Sequence, residues 1–145
     1  MNNLSSTLST IMADTYALYL KTQNYHWHVT GPHFKNLHEL FEGQYTELAA
    51  AIDVLAERIV MKGNKAPATF AEFEKLAQIK PGDANLSGNQ MVIELADDNT
   101  ILIDALNKAL IMADEGRDEG TVNLLGDRIV AHEKARWMLN ASRES

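Results

Sequence analysis

The segment from His26 to Gly63 restricts the fold of this chain more than any other, because it combines a long helical pattern with metal-binding side chains. Its apolar positions recur every three or four residues, which is the spacing of one buried helix face. They are Phe34, Leu37, Phe41, Tyr45, Leu48, Ile52, Leu55 and Ile59. The pattern predicts a single amphipathic helix from about Pro32 to Lys62, ended by Gly63.

Two pairs of candidate metal ligands accompany this apolar face. His38 precedes Glu42 by four residues, and Asp53 precedes Glu57 by four, so each pair projects from one side of a helix. His26 lies twelve residues before His38, in a preceding helix that could face it. Imidazole and carboxylate together suit Fe(II), Mn(II) or Zn(II), whereas calcium and magnesium normally take oxygen ligands alone.

The distance between the two pairs decides how they can meet. Fifteen residues separate His38 from Asp53, which is about 22 Å along a straight helix. One chain therefore cannot bring both pairs to one ion. Two copies running antiparallel across a two-fold axis can do so, and they would generate two equivalent sites. The spacing predicts a metal site shared between subunits.

The residues around these ligands follow the order and spacing of one known family. They are His26-Trp27, Gly31, Phe34, Leu37-His38, Phe41, Asp53, Ala56-Glu57-Arg58-Ile59 and Gly63, with His132-Glu133-Lys134 and Trp137-Met138-Leu139 later in the chain. On these residues the chain resembles the Dps proteins (DNA-binding proteins from starved cells), which are miniferritins of the ferritin-like superfamily. The resemblance extends over essentially the whole chain.

This resemblance implies a ferritin-like four-helix bundle that assembles into a hollow shell of twelve subunits. Family members are ferroxidases that oxidise Fe(II) at two-fold interfaces, with hydrogen peroxide preferred to oxygen, and store the ferric mineral inside the shell. Carried over to this chain, His26 and His38 of one subunit would join Asp53 and Glu57 of its neighbour as catalytic ligands. Glu42 would complete or support the site. Iron is the expected metal, and zinc could compete for the same ligands.

The rest of the chain is also predicted to be helical. Apolar spacing predicts a first helix over residues 4 to about 29, a third over about 87–115 and a fourth over about 119–141. Thr69 would cap a short helix, 69–76, in the crossover between helices 2 and 3. We expect an all-α single domain over residues 1–145. No histidine has Glu three residues before it, so the Glu-x-x-His motif of a site inside the bundle is absent.

Net charge argues against nucleic acid as a partner. The formal charge is −7, and residues 1–10 contain no Lys or Arg, whereas DNA binding normally needs basic residues that neutralise phosphates. After Trp137 the only basic residue is Arg143. The chain departs here from Dps members with lysine-rich tails, and DNA binding is doubtful.

Cellular location and membrane contact are predicted from what the sequence lacks. There is no cysteine, which excludes disulfides, thiolate zinc sites and thiol nucleophiles. The first ten residues have neither a basic region nor a continuous apolar core, and no apolar run reaches membrane-spanning length. We expect a soluble cytoplasmic protein.

Several other residues have both a structural and a functional interpretation. Asp118, Glu119 and Asp127 complement a helix start and are candidates for an acidic pore that admits iron. Trp27 is a candidate for interface packing or for a sacrificial electron donor. Arg58 is a candidate to pair with a carboxylate across the interface, and His132 is interpreted as structural.

Three alternative functions remain at this point. The first is a shell whose main role is binding and protecting DNA, which a gel shift would test. The second is a structural or signalling member of the same fold that has lost activity, although its ligand set is intact. The third is a different bundle enzyme, such as a zinc or manganese hydrolase, which activity assays on metal-loaded protein would separate from a ferroxidase.

Overall fold

A computed structural model describes residues 3–144, which form four long helices and one short one with no strand. The prediction of an all-α bundle with a short crossover helix is confirmed. The helices are α1 (Asn3–His28), α2 (Phe34–Met61), α3 (Phe70–Leu76), α4 (Gly88–Glu115) and α5 (Glu119–Ser142). None of the helices in this part of the chain is long and apolar enough to cross a membrane.

Local sequence explains where the helices begin and end. Gly31, between α1 and α2, has φ +106°, and Gly63, just after α2, has φ +89°; both lie in the left-handed region that favours glycine. The Thr69 side chain accepts the backbone N–H of Glu72 and caps α3, as predicted. Ser87 forms a complete capping box at the start of α4.

The helices pack as two hairpins, α1 with α2 and α4 with α5, and α1 also contacts α4 and α3. The core contains the apolar faces of all four long helices. Its largest fully buried side chains are Tyr25, Phe41, Leu8, Ile11, Leu18, Leu55, Ile59, Met91, Leu95, Leu102, Leu106 and Leu125. Only five residues connect α1 to α2, so the two helices run antiparallel. The end of α1 therefore lies beside the start of α2.

Buried polar contacts fix the crossover and the α1–α4 interface. Asp14 on α1 accepts the backbone N–H groups of Gln78 and Ile79, at 2.6 and 2.9 Å. Lys21, which is only 4% exposed, forms ion pairs with Glu94 and Asp98 on α4. The Asp14 contacts hold the segment after α3 against α1, and the Lys21 ion pairs hold α1 against α4.

Candidate metal centre

His26 and His38 form the centre of the candidate site, where the end of α1 meets the start of α2. The Nδ1 atom of His26 lies 2.7 Å from the backbone oxygen of His38, and the Nδ1 atom of His38 lies 2.7 Å from the backbone oxygen of His26. The two rings stack with centroids 3.8 Å apart and an interplanar angle of 13°. Each residue therefore positions the ring of the other.

These hydrogen bonds determine the tautomer of both rings. A carbonyl oxygen can only accept, so each Nδ1 must carry the proton and donate it. In the neutral imidazole this leaves a lone pair on Nε2, which is the arrangement found in metal-binding histidines whose other nitrogen donates to a carbonyl. His26 and His38 are thus prepared as two neighbouring nitrogen ligands.

Three further side chains surround the histidine pair. Glu42 lies one helical turn beyond His38, and its Oε1 atom is 3.9 Å from Nε2 of His26. Phe34 stacks on the His38 ring with centroids 5.0 Å apart. Tyr45 meets the His26 ring edge to face at 5.3 Å. The Glu42 side chain is 60% exposed, so its carboxylate is free to turn toward a bound cation.

Tyr45 beside His26 was not predicted as part of the site, because the sequence pattern assigned it to the apolar face of α2. It follows His38 by seven residues, which is close to two helical turns, so both project from the same side of the helix. That spacing is the signal that could have placed it there.

Asp53 and Glu57 lie away from the histidines, on the later turns of α2. Both side chains are exposed, and neither forms an ion pair or hydrogen bond with any other part of residues 3–144. Val54, between them, is 48% exposed. Over the same residues, no three His, Asp or Glu side chains are arranged to hold a metal ion. The single chain therefore stacks His26 on His38 with Glu42 near His26, which is less than a complete metal site, and keeps Asp53 and Glu57 apart from them.

Arg58 has its partner within the chain. Its guanidinium donates to Asp118 at 2.8 Å and to the Thr121 hydroxyl at 2.9 Å, and Lys62 lies 3.1 Å from the same carboxylate. Partial burial raises the pKa of Asp118, but the Thr121 hydrogen bonds and the Lys62 ion pair outweigh it and lower that pKa to about 2. Of the candidate pore residues, Asp118 is thus already neutralised by two cations. Glu119 and Asp127 are exposed.

His132 lies in the core and does not belong to the candidate metal site formed by His26 and His38. It is 2% exposed, with Nδ1 2.8 Å from Asn99 and Nε2 2.9 Å from Arg128. Burial, together with the Arg128 charge, lowers the pKa of His132 to about 3. Both ring nitrogens already have partners, which supports its interpretation as a structural residue.

Comparison with known proteins places these features in a family. A family model described as a ferritin-like domain matches residues 6–144. The chain is 40% identical over 133 residues to the DNA protection during starvation protein of Brevibacillus brevis, covering 92% of this chain and 89% of the relative. The chain belongs to the Dps family. Membership supports a role as a miniferritin in iron storage.

Two solved Dps structures have the same fold. The crystal structure of a Dps protein from Bacillus brevis superimposes with a TM-score of 0.93 at 37% identity, covering 97% of this chain and 98% of that one. The second structure is a Dps protein from Vibrio cholerae O1, described as belonging to a superfamily of ferritin-like diiron-carboxylate proteins. It superimposes with a TM-score of 0.92 at 38% identity, covering 95% of this chain and 87% of that one. The ferritin-like superfamily thus suggests chemistry of the ferroxidase type for the Dps fold seen here.

Proposed function

We propose that this protein oxidises Fe(II) with hydrogen peroxide, and less readily with oxygen, at sites between two-fold-related subunits. The ferric product is kept as a mineral inside a shell, for which twelve subunits is the expected number. Removing both iron and peroxide protects the cytoplasm against hydroxyl radicals. Iron is the substrate of this reaction, and the protein supplies the ligands that hold it.

One observation carries the proposal: the reciprocal hydrogen bonds of His26 and His38 leave the Nε2 lone pair of each ring available, and the Glu42 carboxylate lies 3.9 Å from Nε2 of His26. Nothing else in the described chain binds those nitrogens apart from the distant contact with Glu42. Two nitrogens and one carboxylate are an incomplete set for iron. The exposed and unpaired carboxylates of Asp53 and Glu57 are the groups that a second subunit would add.

The residues of the site have separate roles in the proposed reaction. Two Fe(II) ions give one electron each to hydrogen peroxide, and with two protons the products are two Fe(III) ions and two water molecules. The histidine nitrogens suit Fe(II), while Asp53 and Glu57 stabilise the more highly charged Fe(III) and so favour its formation. Glu42 and the candidate pore residues Asp118, Glu119 and Asp127 would attract incoming cations, with Asp118 least available because of its ion pairs.

The test is Fe(II) oxidation by stoichiometric hydrogen peroxide without oxygen, followed by ferric absorbance in assembled protein. The parent should oxidise iron rapidly and stay soluble. The Asp53→Ala/Glu57→Ala variant, once its assembly is confirmed, should lose the rapid oxidation of iron. Asp104→Ala/Glu133→Ala is a matched control, because it also removes two exposed, unpaired carboxylates. If the parent and the Asp53→Ala/Glu57→Ala variant oxidise iron equally fast, the proposed site is wrong.

Mixing subunits tests whether the site is shared. His38→Ala and Asp53→Ala subunits should each be inactive alone, but a mixed two-fold interface would contain one intact site. Refolding the two variants together should therefore restore part of the parent activity. If mixed assemblies form and remain inactive, the ligands do not come from two subunits. Zinc, a competing occupant, should inhibit the parent.

DNA binding is a second candidate function, favoured by the name of the Brevibacillus brevis relative. The net charge of −7 opposes it. A gel shift at low salt with assembled protein separates the two functions. Retarded DNA that is released as salt rises would support a DNA-protecting shell.

A further inference from the structure

We propose that Tyr45, Tyr19 and Tyr16 form a one-electron relay that leads away from the histidine pair. The relay supplies the second electron to peroxide when only one Fe(II) is bound. This inference rests on the proposed function and adds three redox-active residues to it.

The three tyrosine rings form a continuous row that begins at the candidate metal centre. Tyr45 lies 5.3 Å from His26, Tyr19 lies 6.0 Å from Tyr45, and Tyr16 lies 5.7 Å from Tyr19, measured between ring centroids. Tyr16 in turn stacks on Phe73 of α3 at 4.5 Å. Electron transfer between side chains weakens exponentially with distance, so neighbouring rings in contact provide a path for single electrons.

The fourth tyrosine has a different environment and lies outside this row. Tyr25 is fully buried, donates its phenolic hydrogen to Glu94 at 2.9 Å and accepts the backbone N–H of Asp83 at 3.2 Å. Within residues 3–144 its ring contacts no other aromatic ring. Tyr25 is therefore an internal control, because it carries the same phenol group but lies outside the row of contacting rings.

The phenol groups of the row are suited to losing a hydrogen atom. Tyr16, Tyr19 and Tyr45 are all partly buried, which gives solvent access without full exposure. Gln23 donates its side-chain N–H to the Tyr19 oxygen at 3.1 Å. An oxygen that accepts a hydrogen bond keeps it after the phenolic hydrogen has gone, so this contact supports a Tyr19 radical. The Tyr45 hydroxyl makes no hydrogen bond to the described part of the chain.

A donor is needed because peroxide takes two electrons and one Fe(II) gives only one. Without a second electron, the products are Fe(III), hydroxide and a hydroxyl radical. With the relay, Fe(II), hydrogen peroxide, one proton and the Tyr45 phenol yield Fe(III), a Tyr45 phenoxyl radical and two water molecules. The phenolic O–H bond breaks, and its proton ends in water. One electron from Tyr19 then reduces the Tyr45 radical, which takes a proton from water while Tyr19 releases its own proton to water, and one electron from Tyr16 restores Tyr19 in the same way.

Other donors are less well placed. The chain contains no cysteine. Trp27 follows His26 directly, but its side chain is 59% exposed and its ring contacts no aromatic ring in residues 3–144. A Trp27 radical would therefore remain next to the site, whereas the tyrosine row moves the radical toward α3.

The experiment is freeze-quenched electron paramagnetic resonance of assembled protein given one Fe(II) per site and excess hydrogen peroxide without oxygen. Ring-deuterated tyrosine identifies the radical, and a spin trap measures hydroxyl radical in parallel samples. Tyr45→Phe and Tyr19→Phe keep the rings and remove only the hydroxyl groups. Tyr25→Phe is the matched control, and Trp27→Phe tests the competing donor.

In the parent we expect a radical signal that narrows with deuterated tyrosine. Tyr45→Phe should lower it several-fold and raise spin-trapped hydroxyl radical several-fold. Tyr19→Phe should leave the radical on Tyr45 and shift its spectrum, and Tyr25→Phe should match the parent. A signal lost only in Trp27→Phe, or no protein radical while Fe(II) is oxidised, would overturn the relay and leave the proposed function standing. No oxidation of Fe(II) by the parent would overturn both.

Discussion

The backbone carbonyls of His26 and His38 hold the two rings in place, because each carbonyl accepts a hydrogen bond from the ring of the other residue. Each Nδ1–H donates to the carbonyl of the other residue, and the rings lie face to face. Removing either side chain therefore deletes one ligand and also changes the packing of the other ring. The two histidines are a coupled unit rather than two independent ligands.

This coupling predicts strongly non-additive metal binding. His26→Ala and His38→Ala should each weaken binding of Zn(II), used as a non-oxidising probe, by more than about 10–100-fold, the usual cost of losing a partner that orients a ligand. The double variant should be little worse than either single one. Titration calorimetry of assembled protein measures all three. Additive losses would mean that the rings act independently.

Glu42 is expected to contribute less than the histidines. Its carboxylate is largely exposed and stands 3.9 Å from His26 Nε2, so it is close enough to assist a cation but is not held in position. Glu42→Gln should slow Fe(II) oxidation at low iron and have little effect at saturating iron. Stopped-flow kinetics across iron concentrations measure this, with Glu39→Gln, an exposed neighbour on α2, as control. A loss at saturating iron would make Glu42 a required ligand.

The sequence predicted the helices closely because their signals are local. Gly63 ends α2, and Thr69 caps α3, in both cases through interactions within a few residues. The residue count also predicts that Asp53 lies far along α2 from the pair His38 and Glu42, because each residue adds a fixed rise along a helix. These features need no knowledge of tertiary packing.

Contacts between helices could not be predicted in the same way. The His26–Tyr45 contact depends on the angle at which α1 crosses α2. Arg58 was a candidate to pair with a carboxylate of another subunit, but within the chain the end of α2 lies against the start of α5, where Asp118 accepts a hydrogen bond from the Arg58 guanidinium. Ring tautomers and ion-pair partners follow from packing, which one sequence does not specify.

His132 should make the protein less stable in mild acid. The folded pKa of about 3 lies below the ordinary 6.5, so the unfolded chain binds a proton that the folded chain excludes. Stability is therefore full above pH 6.5 and falls as the pH drops toward 3. Lowering the pH from 7 to 5 should therefore reduce the free energy of unfolding by about 2 kcal/mol through this one group. Urea unfolding of parent and His132→Gln at both pH values measures it.

The variant His132→Gln should be less stable than the parent at pH 7, because it disturbs Asn99 and Arg128, but it should lose less stability on going to pH 5. His28→Gln, which changes an exposed histidine, should keep the pH dependence of the parent. If His132→Gln and the parent lose equal stability, another group is responsible for the acid sensitivity.

Asp14 should be essential for holding the crossover against α1. Its carboxylate oxygen accepts two backbone N–H groups, from Gln78 and from the buried Ile79. Asp14→Ala would leave these donors without a partner, at about 1–3 kcal/mol for each buried one. Hydrogen exchange should accelerate at residues 78 and 79 and remain at the parent level within α4 and α5. Unchanged exchange at Ile79 would show that other contacts fix this segment.

Asp118 should stabilise the junction of α2 and α5 in a manner that depends on pH. Its folded pKa of about 2 lies below the ordinary 3.8, because the Thr121 hydrogen bonds and the Lys62 ion pair outweigh the effect of burial. The stabilisation is therefore complete above pH 4 and is lost as the pH falls through 2. Asp118→Ala removes the helix cap and leaves Arg58 and Lys62 without their carboxylate, which should cost about 2 kcal/mol at pH 7.

Urea unfolding at pH 7 and below pH 3 tests this prediction, since the difference between parent and Asp118→Ala should shrink in acid as the carboxylate is protonated. Glu119→Ala is the matched control: it removes the next carboxylate of the same helix turn, which is exposed, and should change stability by no more than about 0.5 kcal/mol. If Asp118→Ala costs no more than Glu119→Ala at pH 7, the pairing with Arg58 and Lys62 adds nothing to stability.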